Sequence, residues 1–230
     1  IRYTINTNHT RNTMKLTAET IAILKNYATI NQNIQFKEGN TLSTISPQKN
    51  ILTKAEISET IPKTFAIYDL NRLLGALSRL NDPDISIGKD QLTAGNLKYT
   101  FAEAAMLVLP PEKKLDFPNP EIEFEMSKND FESCVGMAQV LSLPELIVEG
   151  DGTTITLVAI DTSLPSTDRF PVKVGTTDKE FKMVFKIENM KLLSGDYRVQ
   201  ISSKGIGKFD NKNSKIEYWI ATEQNSNYNG

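Results

Sequence analysis

One cysteine, one histidine and one tryptophan occur among the 230 residues. The single cysteine, Cys134, excludes an intrachain disulfide framework and a cysteine-based metal cage, and it fits a reducing compartment. The single histidine, His9, lies in a polar stretch, so the body of the chain holds no Ser-His-Asp or Cys-His set and no histidine-rich metal site. No apolar run approaches the roughly 18–20 residues of a membrane span. Nor does any segment have the charged and apolar regions of a secretory signal. The expected location is therefore cytoplasmic, with no membrane partner. A dominant charge of one sign is absent too: 26 Lys and Arg against 28 Asp and Glu leave a net charge of -2. Proteins that coat nucleic acid indiscriminately are strongly basic, so any such contact must come from a local arrangement of charge. The segment Lys204-Gly-Ile-Gly-Lys208 lacks the GKS/T ending and following helix of a phosphate loop and reads as a hairpin turn. Glu121, Glu123 and Glu125 alternate along one strand face and read as exposed side chains, not as an acid/base pair. No catalytic residue, metal ligand or cofactor is expected, although an enzyme working with carboxylates alone stays open on these grounds.

What is present describes an ordinary globular chain, with 39% hydrophobic and 23% charged residues. Its length suits one large domain or two of about 100–115 residues. Four segments carry a helical period. In Thr17–Ile30, Thr17 can cap the start, and Ile21, Leu24 and Ala28 form an apolar stripe. In the second, Asp69 caps a run with Leu70, Leu73, Leu74, Leu77 and Leu80 on one side. In Ser127–Leu143, Ser127 and Asp130 form a weaker capping box, and the stripe is Phe131, Cys134, Val135, Ala138 and Leu141. The fourth, Ile187–Ser194, is shorter and ends at Gly195.

Alternating strand-like runs follow each helix, including 63–68, 97–101, 121–126, 153–160, 181–187, 197–202 and 215–221, with turn signals between them. One helix with three or four strands thus recurs four times at nearly even intervals. Pairing the units gives domains at 14–115 and 116–224, joined by the proline-bearing segment Pro110–Pro120. Residues 1–13, rich in Asn and Thr, are set aside as an N-terminal extension; the alternative is a short extra strand on a sheet edge. Each helix has one apolar face, so it should lie on a sheet and leave the opposite face open.

The blocks MKLTAETIAILKNYATIN (14–31), AIYDLNRLLGALSRLND (66–82) and NMKLLSGDYRV (189–199), with DFPNP and the late strand YWIATE, resemble the sliding clamps of T-even-type tailed bacteriophages, the DNA polymerase processivity factors. The resemblance covers essentially residues 14–224 and is weakest around 49–59 and 161–177. It implies an α+β fold of two similar clamp domains, each with two helices packed on antiparallel sheets, and a ring formed on oligomerisation. The implied assembly is a homotrimer around double-stranded DNA, with helices lining the hole and sheets forming the rim. The implied partners are a clamp loader and a DNA polymerase tethered through a short peptide, and the implied location is the host cytoplasm.

A sliding contact needs attraction to phosphates without base readout, because hydrogen bonds to base edges would hold the protein in register. Arg72 and Arg79 lie two helical turns apart on the side opposite the leucines and are the first candidates. Lys25, Lys128 and Lys191 are the corresponding residues on the other helices, and Lys15 and Lys186 flank them. The third helix departs from the family's expected pattern, continuing with Glu132, Cys134, Gly136 and Met137 where more positive charge is expected. Gly75 and Gly136 cost about 1 kcal/mol each inside a helix. They either allow close backbone approach or keep the lining thin. Leu107, Leu109, Leu115 and Phe117 are candidates for a partner-peptide pocket, or else anchor the connector on the core. The alternative function is a β-rich single-strand nucleic-acid binder that forms no ring, for which Tyr218 and Trp219 are the one close aromatic pair.

Overall fold

The computed structural model describes residues 13–81, 83–113, 115–164 and 168–230. They fall into two compact units, one drawn from 1–47 and 54–110 and the other from 48–53 and 111–230. No helix among the described residues is long and apolar enough to cross a membrane.

The first unit runs β1 (Thr13–Met14), α1 (Ala18–Ile30), β2 (Ile34–Phe36), β3 (Gly39–Ile45), β4 (Ile51–Ile61), β5 (Phe65–Ile67), α2 (Leu70–Ser78), β6 (Ile85–Ile87), β7 (Gln91–Ala94) and β8 (Leu97–Thr100). An antiparallel sheet has the order β1-β6-β7-β8, and β2 pairs with β5. Thr13 is the first described residue and already belongs to β1, opposite Ser86. Of the N-terminal extension expected at residues 1–13, residues 1–12 lie outside the described residues, and Thr13 stands in a strand on the sheet edge. Helices α1 and α2 pack on one another. Their starts are set by side-chain oxygens that take up otherwise unpaired helix N–H groups: Thr17 Oγ1 accepts from Thr20 N, and Asp69 Oδ1 from Arg72 N. The buried face of α1 takes in Leu24 and Ala28 of the expected stripe but not Ile21. Ile21 is half-buried, whereas Ile23, Leu24, Tyr27, Ala28 and Ile30 are buried. Tyr27 can turn inward because its hydroxyl donates to the Leu42 carbonyl at 3.4 Å. On α2 the leucine stripe holds through Leu77, and Leu80 lies past the helix end, exposed.

The second unit contains β9 (Ile122–Met126), α3 (Lys128–Val140), β10 (Glu145–Asp151), β11 (Thr154–Ile160), β12 (Arg169–Thr176), β13 (Glu180–Lys186), β14 (Tyr197–Ser202), β15 (Ile206–Asn211), β16 (Ile216–Ala221) and β17 (Asn227–Tyr228). Its strands run antiparallel in the orders β12-β11-β10-β13-β17 and β16-β15-β14-β9. Helix α3, capped by Ser127, lies on β10, β11 and β12, burying Phe131, Cys134 and Ala138. Val135 stays half-buried and Leu141 exposed, outside the expected stripe. Of the segment 204–208, Lys204 and Gly205 lie in the hairpin turn between β14 and β15, where Gly205 has φ +92°, and residues 206–208 begin β15.

The expected fourth helix is not formed, so the described residues of the second unit hold one α-helix where two were expected. Only Ile187–Asn189 makes a single 3-10 turn. The reason lies in the next residues. Leu193 N donates to the Tyr218 hydroxyl at 3.0 Å, and Leu193 O accepts from the Tyr197 hydroxyl. Two fully buried tyrosines, Tyr197 from the next strand and Tyr218 from a later one, thus take the backbone groups a helix would need.

Candidate nucleic-acid interface

The open face of α2 carries Asn71, Arg72, Gly75 and Ser78, with Arg79 at the C-cap. No carboxylate stands on this face. Arg79 sits where the helix dipole ends and its positive charge is favoured. Arg72 also borders an open cleft of about 350 Å³ with Tyr68, Asp69, Lys98, Tyr99 and Phe101. Lys98 is exposed there and extends the positive surface. It was missed from the sequence, although its outward position in the alternating run LKYTF is a readable signal. The Tyr99 hydroxyl donates to the Asp69 carbonyl at 3.0 Å. Burial, followed by the Asp69 carboxylate, holds the Tyr99 phenol above its ordinary value, and Arg72 partly offsets them.

The exposed Lys25 on α1 joins α2 directly: with Leu74, Leu77 and Ser78 it borders a cleft of about 90 Å³. The structure therefore brings Lys25 and the end of α2 together. Lys15 is exposed just ahead of α1, whose first turn carries the acidic Glu19.

The second unit is different. Lys128 is exposed but lies 4.0 Å from Glu132 on the same helix. Its backbone N–H donates to Asp196 Oδ1 at 2.7 Å, and Ser194 Oγ donates to Glu132 at 2.7 Å. At the start of α3 the Lys128 ammonium is thus outnumbered by the carboxylates of Glu132 and Asp196. Lys186 is exposed at the end of β13, 3.8 Å from Glu223. Lys191 is half-buried and follows the 3-10 turn. Lys186 and Lys191 therefore stand on no α-helix.

Of the four pocket candidates, Leu107 and Leu109 are half-buried in the first unit, Phe117 is half-buried in the second, and Leu115 is exposed there. The clefts bordered by Arg72 and by Lys25 are lined by other residues. The same is true of a cleft of about 440 Å³ in the second unit, lined by Leu143 to Glu145 and Lys186 to Glu188.

The alternating glutamates are each engaged across strands: Glu121 with Ser203, Glu123 with Arg198 and Gln200, Glu125 with Lys212. Hydrogen bonds from Gln200 and Arg198 hold the Glu123 carboxyl below its ordinary value, the reverse of a proton donor's need. Tyr218 is buried in the core, and Trp219 on the opposite strand face has Lys208 Nζ 5.7 Å from its ring. The pair therefore offers no stacking platform. No group of three or more metal-ligating side chains occurs among the described residues.

Solved clamp structures share this fold. The proliferating cellular nuclear antigen of Entamoeba histolytica superposes with a TM-score of 0.67 at 12% identity, covering 92% of this chain and 98% of that one. The Helicobacter pylori beta clamp, solved with a DNA ligase peptide, gives 0.70 at 11% identity over 93% of this chain and 66% of its own. In sequence, residues 17–103 match the family described as DNA polymerase processivity factor, and residues 123–224 the family described as gp45 sliding clamp, C terminal. The sliding clamp of Vibrio phage KVP40 is 33% identical over 221 residues, covering 91% of this chain and 99% of that protein. The sliding clamp of Enterobacteria phage T4 is 29% identical over 232 residues, covering 94% and 99%. The chain belongs to the sliding-clamp family of DNA polymerase processivity factors.

Proposed function

We propose that three copies of this chain close head to tail into a ring around double-stranded DNA and hold a DNA polymerase on its template, the ring being opened by a clamp loader. In this reading the protein performs no catalysis, and its clamp domains are 14–115 and 116–224. Arg72, Arg79 and Lys25 face the DNA, with Lys15 beside them and weaker contributions from Lys128, Lys186 and Lys191. The observation that carries the reading is the acid-free open face of α2, with an arginine at each end. Positive charge on a helix surface attracts phosphates through the counterion atmosphere without selecting a sequence, which is what sliding needs.

A head-to-tail contact uses two different patches per copy and closes when the rotation between copies does. Strands β8 and β12 each end a sheet, and pairing β8 of one copy with β12 of the next would remove both open edges. Leu107, Leu109, Leu115 and Phe117 remain the proposed seat for the polymerase peptide.

Light scattering gives the mass in solution, and retention on DNA gives the topology. The expected result is a trimer that, once loaded, stays on closed circular duplex and leaves linear duplex by its ends. A persistent monomer retained equally on both forms would overturn the reading.

A further inference from the structure

The sheet edge formed by β13 is covered by the chain itself. Residues 223–229 lie along it: Glu223 N donates to Val184 O at 2.8 Å, Val184 N to Ser226 Oγ at 2.9 Å, and Asn229 N to Glu180 O at 2.9 Å. Between these, Asn227 and Tyr228 pair with Lys182 and Phe181 as a ladder only two residues long. The Tyr228 ring stacks on Phe181 with centroids 6.4 Å apart, and Lys179 Nζ stands 5.9 Å from it while donating to the Glu121 carbonyl.

The two sides of this contact differ in how firmly they are held. In β13, Phe181, Met183, Val184 and Phe185 are buried. In the covering segment no residue from 222 to 230 is buried. Lifting it draws no buried side chain of its own out of the core and bares chiefly Phe181, so its opening should be far less costly than unfolding the sheet. What it would expose is a rigid strand edge with an aromatic step at Phe181 and the ammonium groups of Lys179, Lys182 and Lys186 along it. The resident segment matches this edge incompletely: Glu223 lies 3.8 Å from Lys186, but the residue opposite Lys182 is the neutral Asn227.

We propose that the β13 edge is a strand-acceptor site for an extended acidic peptide carrying one aromatic residue, held closed by residues 223–229 until such a peptide displaces them. Main-chain pairing would supply affinity, and the Phe181 step with its lysines would supply selectivity. The site shares only Lys186 with the proposed DNA-facing set and does not depend on ring formation.

The test is hydrogen exchange at the Val184 amide in a chain ending at Thr222, with synthetic peptides of sequence 223–230 added in trans. Truncation should speed exchange at Val184 while circular dichroism stays unchanged, and the peptide should restore protection. A peptide with Asn227→Asp should act at a concentration lower by roughly 2- to 5-fold, the size of one favourable cross-strand pair. A peptide with Tyr228→Ala should need roughly tenfold more. If the truncated chain does not fold, Tyr228→Ala in the full chain should raise Val184 exchange by itself. Unchanged exchange in that variant, or no restoration by any of the three peptides, or equal restoration by all three, overturns the proposal.

Discussion

Glu59 reaches from β4 to the first turn of α1, where its Oε2 accepts a hydrogen bond from Thr20 Oγ1 at 2.6 Å. The same oxygen accepts from Ser58 Oγ at 3.1 Å, and Oε1 accepts from Thr17 N. A carboxylate from a distant strand thus completes the cap that Thr17 begins, placing negative charge at the positive end of the helix. Burial alone would raise the Glu59 carboxyl, but the hydrogen bonds from Thr20 and Thr17 outweigh it and hold the group below its ordinary value of 4.5.

A lowered native value means the charged form stabilises the fold, a contribution present above the ordinary value and lost as pH falls through the lowered one. Glu59→Gln should therefore cost about 1–3 kcal/mol at pH 7, the range for disrupting a buried charged hydrogen-bond set. The difference from the parent should shrink below pH 4.5. Urea unfolding of both proteins across pH 3–7 checks this, and a constant difference would show that charge plays no part.

Gly75 and Gly136 lie inside helices with nothing within 4 Å of an added Cβ. Close backbone approach within the chain is therefore not the reason for either glycine. Alanine at each position should stabilise the isolated chain by about 0.5–1 kcal/mol. For a chain of this size that is a rise of about 2–4 °C in Tm per kcal/mol. Calorimetry on the two single variants measures it directly.

Cys134 is fully buried under α3, and burial pushes its thiol up to about 11. Because the thiolate is the reactive form, alkylation by iodoacetamide at pH 8 should be negligible in the folded protein and complete in denaturant. Modification of the native protein at the rate of a free thiol would contradict the packing described for α3.

Three of the four helical segments were legible because their start signals are local. Thr17, Asp69 and Ser127 all make the capping bonds their positions suggest. The fourth failed because Tyr218 reaches Leu193 from a strand 25 residues on, while Tyr197, only four residues on, is held in β14 and caps the same residue's carbonyl. Strand β4 alternates cleanly between buried and outward residues, yet its inward set includes Thr53 and Glu59. Polar residues on the buried face hid the period, and only the contact with α1 explains Glu59. In the candidate interface, the placing of Arg72 and Arg79 on one open face could be read from spacing within a helix. The balancing of Lys128 by its surroundings could be read only in part: Glu132 stands one turn on, but Asp196 and Ser194 arrive from another segment.

That asymmetry between the units yields the sharpest prediction. Arg72 and Arg79 stand on an open face without carboxylates, whereas Lys128 lies 4.0 Å from Glu132. If the charges act by displacing counterions from duplex DNA, each effective one contributes nearly one unit to the slope of log K against log salt. The double variant Arg72→Ala, Arg79→Ala should therefore reduce the slope by about two, and should weaken binding alike on duplexes of any sequence. Lys128→Ala should change the slope by much less, because it removes a cation already balanced by a neighbour. Fluorescence anisotropy with duplexes of unrelated sequence over a salt series supplies the slopes. An equal change from Lys128→Ala would mean that α3 contributes to the DNA-facing surface as strongly as α2.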